Sequence, residues 1–107
     1  MSQPQARLER MAPGQFRCVG ALTLGAVTPL RESGLRQFGA ESGQLQLDLE
    51  AVSAVDSAGL ALLIDWLAWC TRHDRTLSFR NVPTAMQSLA VISDVRELLQ
   101  PPAAKPG

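Results

Sequence analysis

A strand-like segment that runs directly into an apolar segment is the feature that most restricts the fold of this chain. Between Leu45 and Leu49, apolar and polar residues alternate as they do in a strand with one buried face. The chain then passes through Asp-Ser-Ala-Gly at residues 56–59 and continues to Cys70 with apolar residues on more than one side of a helix. This order predicts a strand, a sharp junction and a long helix that packs on a sheet.

Further strands are predicted by the same alternation. Leu77 and Phe79 alternate with polar neighbours, residues 16–19 form a shorter run of the same kind, and another candidate lies around residues 8–11. Each of the two clearest strands has a single apolar face. The sheet is therefore expected to be packed by helices on one side and to be more open on the other.

Two further helices are predicted from the spacing of apolar residues. The first covers residues 27–38, with Thr28 as its N-cap and Pro29 in the first helical position, and the second covers residues 84–93. Strand–helix–strand connections of this length imply parallel neighbours and right-handed crossovers. The predicted fold class is α/β, with a single sheet of about four to five mostly parallel strands and helices packed mainly on one face.

Length and charge restrict the class of protein. A chain of 107 residues is expected to form one domain, here residues 1–100 with a core over 16–99, followed by a flexible tail at 101–107. Ten basic side chains balance ten acidic ones and are scattered along the chain. This pattern is not that of a nucleic-acid-binding surface, so no nucleic-acid partner is expected.

The chain also carries no sign of an oxidising compartment or of direct insertion into a membrane. Cys18 and Cys70 lie far apart and outside any C-x-x-C spacing, which is typical of reduced, semi-buried thiols. The first ten residues contain no apolar segment like that of a secretory signal, and the longest uncharged apolar run, residues 58–64, is too short to cross a bilayer. We expect a cytoplasmic protein that reaches a membrane only through a partner.

The junction at residues 56–59 allows a structural and a functional interpretation. Asp56 and Ser57 are both favoured N-cap residues, so Ser57 could simply cap the helix. However, Gly59 permits a close approach to the backbone, and the small side chain of Ala58 obstructs the start of the helix little. The junction also follows the carboxyl end of a strand. Open α/β sheets tend to place their functional sites at that end.

The same residues resemble a known family. The stretch LDLEAVSAVDSAGLALL is similar to the signature of STAS domains, in which a strand, D-[ST]-x-G-[LI] and an amphipathic helix follow one another. The resemblance extends over roughly residues 16–99 and implies a small, non-catalytic α/β module that binds other proteins.

Two branches of this family imply different partners. In anti-sigma factor antagonists a partner kinase phosphorylates the serine that corresponds to Ser57, but residues 20–23 lack the acidic pair typical of that branch, and Ala58 stands where a second hydroxyl is common. The STAS subunit of the Mla phospholipid ABC transporter is similar over V-D-S-A-G-L-A-L-L at residues 55–63. That resemblance implies a subunit that binds and regulates the cytoplasmic ATPase of a complex that maintains outer-membrane lipid asymmetry. The antagonist stays the alternative.

A second apolar stripe on the long helix predicts a surface for this partner. Leu63 and its neighbours at helical spacing suffice to pack the helix on the sheet, which leaves a stripe near the opposite side for either a neighbouring helix or a partner. Because a small domain has little interior for two tryptophans, we expect the stripe to bind the partner. The predicted partner-binding or regulatory residues are Asp56, Ser57, Ala58, Gly59, Leu62, Trp66 and Trp69.

No enzyme site is predicted. The single histidine, His73, lies near a helix end with no nucleophile beside it in sequence, and Asp48, Asp56 and Asp65 are not spaced as an acid and base pair. No phosphate-binding glycine loop or metal-ligand spacing occurs, and VDSAG lacks the first glycine of a G-x-S-x-G elbow. We therefore expect no catalysis, no cofactor and no metal.

Overall fold

The computed structural model describes residues 6–99, and these form a five-stranded sheet, three α-helices and a final 3₁₀ helix. The predicted tail at 101–107 lies outside the described residues. In chain order the elements are β1 Arg7–Ala12, β2 Gln15–Leu22, α1 Val27–Gly39, β3 Gln44–Asp48, β4 Val52–Val55, α2 Ser57–Arg72, β5 Thr76–Arg80, α3 Thr84–Ile92 and the 3₁₀ helix Arg96–Leu99.

The sheet is mostly parallel, with one antiparallel pair at its edge. The strands lie in the order β1-β2-β3-β5; β1 and β2 are antiparallel, whereas β2, β3 and β5 run parallel. β4 also pairs in parallel with β2, at residues 20–22, beyond the part of β2 that β3 contacts. The predicted α/β class with a mostly parallel sheet is confirmed.

One face of the sheet is apolar and carries the helices. Phe16, Leu47 and Phe79 stand opposite one another on β2, β3 and β5, and all three side chains are buried. The ring of Phe38, on α1, meets Phe16 edge to face with 5.1 Å between the ring centroids. This row confirms that alternation along each strand separates a core face from a polar one.

The other face carries a row of alternating charges. Glu9, Arg17, Asp48 and Arg80 stand opposite one another on β1, β2, β3 and β5. Within the row, Arg17 Nε donates to Glu9 Oε1 at 2.6 Å. Because each charge has opposite charges as cross-strand neighbours, this face is balanced and attracts neither sign of partner strongly.

The ends of α1 and α2 are joined through Arg75, which precedes β5. Arg75 Nε donates to the carbonyl oxygens of Phe38 at 3.0 Å and Glu41 at 2.9 Å, and Nη2 donates to that of Gly39 at 3.1 Å. These carbonyls belong to the end of α1 and the residues after it, where intrahelical donors run out. Arg75 therefore fixes the position of α1 beside α2.

One local prediction was wrong, and one strand was not predicted. α1 begins at Val27 after Ala26, whose side chain forms no cap bond, so Thr28 and Pro29 lie inside the first turn and Thr28 is not the N-cap. In addition, the short strand β4 was not predicted as a separate element. Residues 52–55 show no two-residue alternation of burial, because the strand pairs only with the end of β2.

Candidate functional site: the junction before α2

Asp56 is the residue that organises the junction. Its Oδ1 accepts hydrogen bonds from the backbone N–H groups of Ala58 at 2.9 Å and Gly59 at 3.1 Å, which caps α2. Its Oδ2 accepts a third bond from the backbone N–H of Leu24 at 3.0 Å. One carboxylate thus links the start of α2 to the loop between β2 and α1.

The same bonds set the charge state of Asp56. The N–H groups of Leu24, Gly59 and Ala58 stabilise the ionised carboxylate, and so the pKa of Asp56 lies below its ordinary value of 3.8. The carboxylate is therefore ionised at neutral pH.

Gly59 is required by the packing of α2 on β2. A Cβ placed on Gly59 would overlap the carbonyl oxygen of Leu22 and would stand 2.9 Å from its carbonyl carbon. Asp56 N–H donates to that same carbonyl oxygen at 3.2 Å. Glycine at this position lets α2 begin directly against the end of β2. This is the close approach to the backbone that the sequence predicts at Gly59.

Ser57 projects from this rigid junction and is exposed. It is the first residue of α2, and the capping bonds come from Asp56. The interpretation of Ser57 as a cap is therefore wrong. Its hydroxyl stands beside the partly buried Ala58 at the N-terminal end of the helix, where an added negative charge is favoured electrostatically.

A shallow groove adjoins Ser57 between α1 and α2. Its volume is about 280 Å³. Its walls are mainly apolar and include Val27, Ala58, Ala61 and Leu62, and the ion pair between Arg31 and Asp65 lies along it. Small side chains on α2 keep the groove open, so an apolar side chain of another protein can enter it.

Most of the predicted stripe is not on the surface. Trp66 is 0 % exposed and Leu62 is 4 % exposed, because α1 covers this side of α2. The Trp66 indole packs over Gly34, meets Phe38 with 5.4 Å between centroids, and donates from Nε1 to the carbonyl oxygen of Arg31 at 3.3 Å. The prediction that Leu62 and Trp66 belong to an exposed partner-binding stripe was wrong; Leu62 contributes only to the wall of the groove.

Trp69 occupies a different environment at the far end of α2. It is partly buried, its indole stacks on the His73 ring with 4.1 Å between centroids, and the Arg75 guanidinium lies 5.3 Å from its ring centroid. Some of its surface stays accessible. Its role in partner binding stays a prediction, but it lies at the opposite end of α2 from Ser57.

Leu24 is a residue that the sequence did not reveal. Its side chain is 74 % exposed, in the loop that Asp56 holds. A leucine this exposed beside the junction is a candidate contact for a partner. In the sequence, Leu24 stands between Thr23 and Gly25, and this context does not distinguish an exposed leucine from a buried one.

Neither a metal-binding cluster nor a membrane-spanning helix is found in the part of the chain that the structure describes. Among residues 6–99, no group of three or more His, Cys, Asp or Glu side chains is arranged to hold a metal ion. In the same range no helix has both the length and the apolar character needed to span a bilayer.

Solved structures share this fold. The anti-sigma factor antagonist SpoIIAA in its unphosphorylated form is similar with a TM-score of 0.61 and 19% identity, over 78% of this chain and 79% of that one. The murine anion transporter Slc26a9, in an inward-facing state, is similar with a TM-score of 0.56 and 17% identity, over 82% of this chain and 14% of the transporter. At these identities the likeness establishes the fold.

Comparison with protein families is more specific. No curated protein matches the sequence. The family model described as "Mlab, STAS domain" matches residues 9–100, which include every strand and helix from β2 onward and the whole junction. The chain therefore belongs to the STAS domain family, whose members are generally regulatory or interaction modules without catalytic activity.

Proposed function

We propose that the chain is a non-catalytic STAS subunit that binds and regulates the cytoplasmic ATPase of a phospholipid-transporting ABC complex maintaining outer-membrane lipid asymmetry. The observation that carries the proposal is the match to the family described as Mlab over residues 9–100, together with V-D-S-A-G-L-A-L-L at residues 55–63. Through this partner the chain would lie at the cytoplasmic side of the inner membrane.

The junction supplies a surface suited to that role. Ser57 and Leu24 are exposed on either side of the Asp56 carboxylate, and the apolar groove between α1 and α2 begins at Ala58. The capping bonds hold the two exposed residues in fixed positions before any partner arrives. A preorganised surface of this kind loses little conformational entropy on binding.

A second candidate is an antagonist of an anti-sigma factor, switched by phosphorylation of Ser57. The exposure of the Ser57 hydroxyl favours it, because a kinase can reach it. The likeness to unphosphorylated SpoIIAA is compatible with this candidate at the level of fold. Two features of the sequence favour the ATPase as partner instead. Ala58 stands where a second hydroxyl is common in antagonists, and residues 20–23 lack the acidic pair.

Purification of the tagged chain from its native cells distinguishes the two candidates. We expect a nucleotide-binding ABC subunit to co-purify, and the ATPase rate of that subunit to change when the chain is added. Co-purification of a kinase-like anti-sigma factor, with transfer of phosphate from ATP to Ser57, would support the antagonist and refute the proposal.

Variants of Ser57 test the surface itself. Ser57→Glu should weaken ATPase binding strongly, since a larger, charged group must be paired or buried without a partner. The variant should fold normally, because a negative charge at a helix N-terminus is favourable. Ser57→Ala should leave both stability and binding nearly intact, and Ser88→Glu, at an exposed position on α3, is the matched charge control. Unchanged binding by Ser57→Glu would exclude Ser57 from the interface.

A further inference from the structure

The polar face of the sheet stays open to solvent in the part of the chain that the structure describes. The helices pack on the opposite, apolar face. Each side chain in the row of charges on the polar face is exposed or partly exposed. The members of this charged row are, in the order of the strands, Glu9, Arg17, Asp48 and Arg80. Such a face can stay solvated, or it can pack on a second sheet about 10 Å away.

The order of the charges decides which second sheet fits. The row reads negative, positive, negative, positive from β1 to β5, so its two ends carry opposite charges. A surface of a single sign gains little from such a row, because attraction and repulsion cancel. The same row read in the opposite direction, by contrast, places an opposite charge against each member. A second copy of this chain presents that reversed row.

Symmetry fixes how the second copy must lie. When a two-fold axis runs along the strands and passes between β2 and β3, Glu9 faces Arg80 of the second copy, and Arg17 faces Asp48 of the second copy. The symmetry repeats both pairs. A two-fold axis along the row would instead set each charge against the same residue of the second copy, and like charges repel. The charge order therefore favours the first arrangement and disfavours the second.

A row of uncharged polar side chains beside the charges fits the same arrangement. Gln15, Gln46 and Ser78 stand opposite one another on β2, β3 and β5. Rotation about the axis along the strands brings Gln15 against Gln46 of the second copy. Two amide side chains can each donate and accept a hydrogen bond. The polar face thus offers its own copy hydrogen bonds as well as ion pairs.

The bonds that the charged row forms among residues 6–99 leave part of its binding capacity unused. Asp48 Oδ1 accepts bonds from Asn81 Nδ2 and from the Glu50 backbone N–H, whereas Asp48 Oδ2 accepts none. Arg17 donates only from Nε, and Arg80 donates only from Nη1. The remaining guanidinium N–H groups and the carboxylate oxygen are donors and acceptors of the kind that form charged pairs across an interface.

We propose that the polar face binds a second copy of this chain in a symmetric dimer whose two-fold axis runs along the strands between β2 and β3. The charged rows of the two copies run in opposite directions across the interface. Because exposed ion pairs contribute little each, the dimer is weak, and because salt screens them, it is salt-sensitive. The helices lie on the other side of the sheet, so the dimer leaves their surfaces free for other partners.

Sedimentation velocity of the full chain over a range of concentrations tests for the dimer. We expect a monomer–dimer equilibrium whose Kd rises severalfold between low salt and about 0.5 M salt. Dilution of the ¹⁵N-labelled chain, followed by NMR, locates the interface. The backbone signals of Gln15, Gln46 and Ser78 should shift with concentration, whereas that of Ile92, an exposed residue on α3, should not.

Charge reversals at the two ends of the row test the arrangement itself. Glu9→Arg sets two positive charges against each other in the dimer, and Arg80→Glu sets two negative charges against each other. Each variant alone should dimerise at least about tenfold more weakly. A mixture of the two variants should associate as the native chain does, because every facing pair in the mixed dimer is again of opposite charge. Arg72→Glu, at an exposed position on α2, is the matched control and should leave the Kd unchanged.

Circular dichroism shows whether each variant folds. Where a reversal does not fold, Glu9→Gln and Arg80→Gln remove the charge without reversing it, and each should weaken the dimer severalfold. Three results would overturn the proposal: a monomer at every concentration up to about 1 mM in low salt, a dimer that no variant of the row weakens, or a mixture of the folded reversal variants that does not associate. None of them bears on the ATPase, so the proposal is tested independently of the proposed function.

Discussion

Replacement of Gly34 by alanine should destabilise the domain, although it removes a glycine from the middle of a helix. In an unpacked helix, Gly→Ala is stabilising by up to about 1 kcal/mol. In this structure a Cβ at residue 34 would stand 2.6 Å from Cζ2 of Trp66 and closer still to Cε2 and Nε1. The α1 backbone and the Trp66 indole therefore cannot both keep their positions.

The expected cost follows from how little Trp66 can move. Its side chain is 0 % exposed and meets Phe38 edge to face, so a shift of the ring disturbs the rest of the core. Overpacking of a core costs about 1–3 kcal/mol, and a displaced indole N–H that loses its acceptor costs about 1–3 kcal/mol more. After the gain in helix propensity, we expect a net loss of about 1–5 kcal/mol from a total stability of about 5–15 kcal/mol.

Urea denaturation monitored by circular dichroism measures this loss directly. Gly39→Ala is the matched control on the same helix, because its Cβ would lie 3.7 Å from Trp69, an ordinary contact. We expect that control to be at least as stable as the native protein. In a Trp66→Leu background the clashing atoms are absent, so Gly34→Ala should cost much less there. Equal costs in the two backgrounds would refute the steric explanation.

Three further predictions follow from the site and the core. Hydrogen bonds from backbone N–H groups lower the pKa of Asp56 in the folded state, so its stabilising contribution is present above about pH 4 and is lost as the pH falls below that value. Asp56→Asn should therefore flatten the pH dependence of the unfolding free energy below about pH 4, and an unchanged slope would contradict this. Trp66→Ala should lose about 3–5 kcal/mol of stability in a denaturant melt, whereas Trp69→Ala should lose clearly less, and equal losses would place Trp69 in the core. Burial raises the pKa of Cys18 to about 12 and that of Cys70 to about 11, so both thiols should react with a thiol reagent only at the rate of unfolding; fast labelling of the native protein would show that they are accessible.

The strands and the junction could be predicted because their signals are local. Alternation over residues 45–49 reports directly which side chains face the helices, and all three leucines of that run are buried. The cap at Asp56 is equally local, since its carboxylate binds the N–H groups of Ala58 and Gly59, which follow within three residues. Gly59 marks a close approach to the backbone by its residue type, although the carbonyl that it meets belongs to the distant Leu22. These signals suffice for the fold class and the position of the candidate site.

The burial of Trp66 could not be predicted, because it depends on a residue in another helix. The indole fits only where α1 has no Cβ at Gly34. In a sequence, a glycine inside a helix indicates only lower helix propensity, and nothing in α2 itself marks which of its two apolar sides α1 will cover. The same limit applies to Leu24, whose exposure results from a loop position that a distant carboxylate fixes.

The residues of Asp-Ser-Ala-Gly have different roles, which matters when other sequences are searched for this pattern. The aspartate accepts bonds from backbone N–H groups at the start of α2 and in the loop between β2 and α1, and the carbonyl of Leu22 leaves no room for a side chain at the glycine. Both residues would be required in any chain that joins this strand to this helix, whatever it binds. A match to the Asp and Gly of this pattern therefore identifies the strand–helix junction and not the partner. Residue 57 can differ between related chains, and their partners with it, without a loss of the fold.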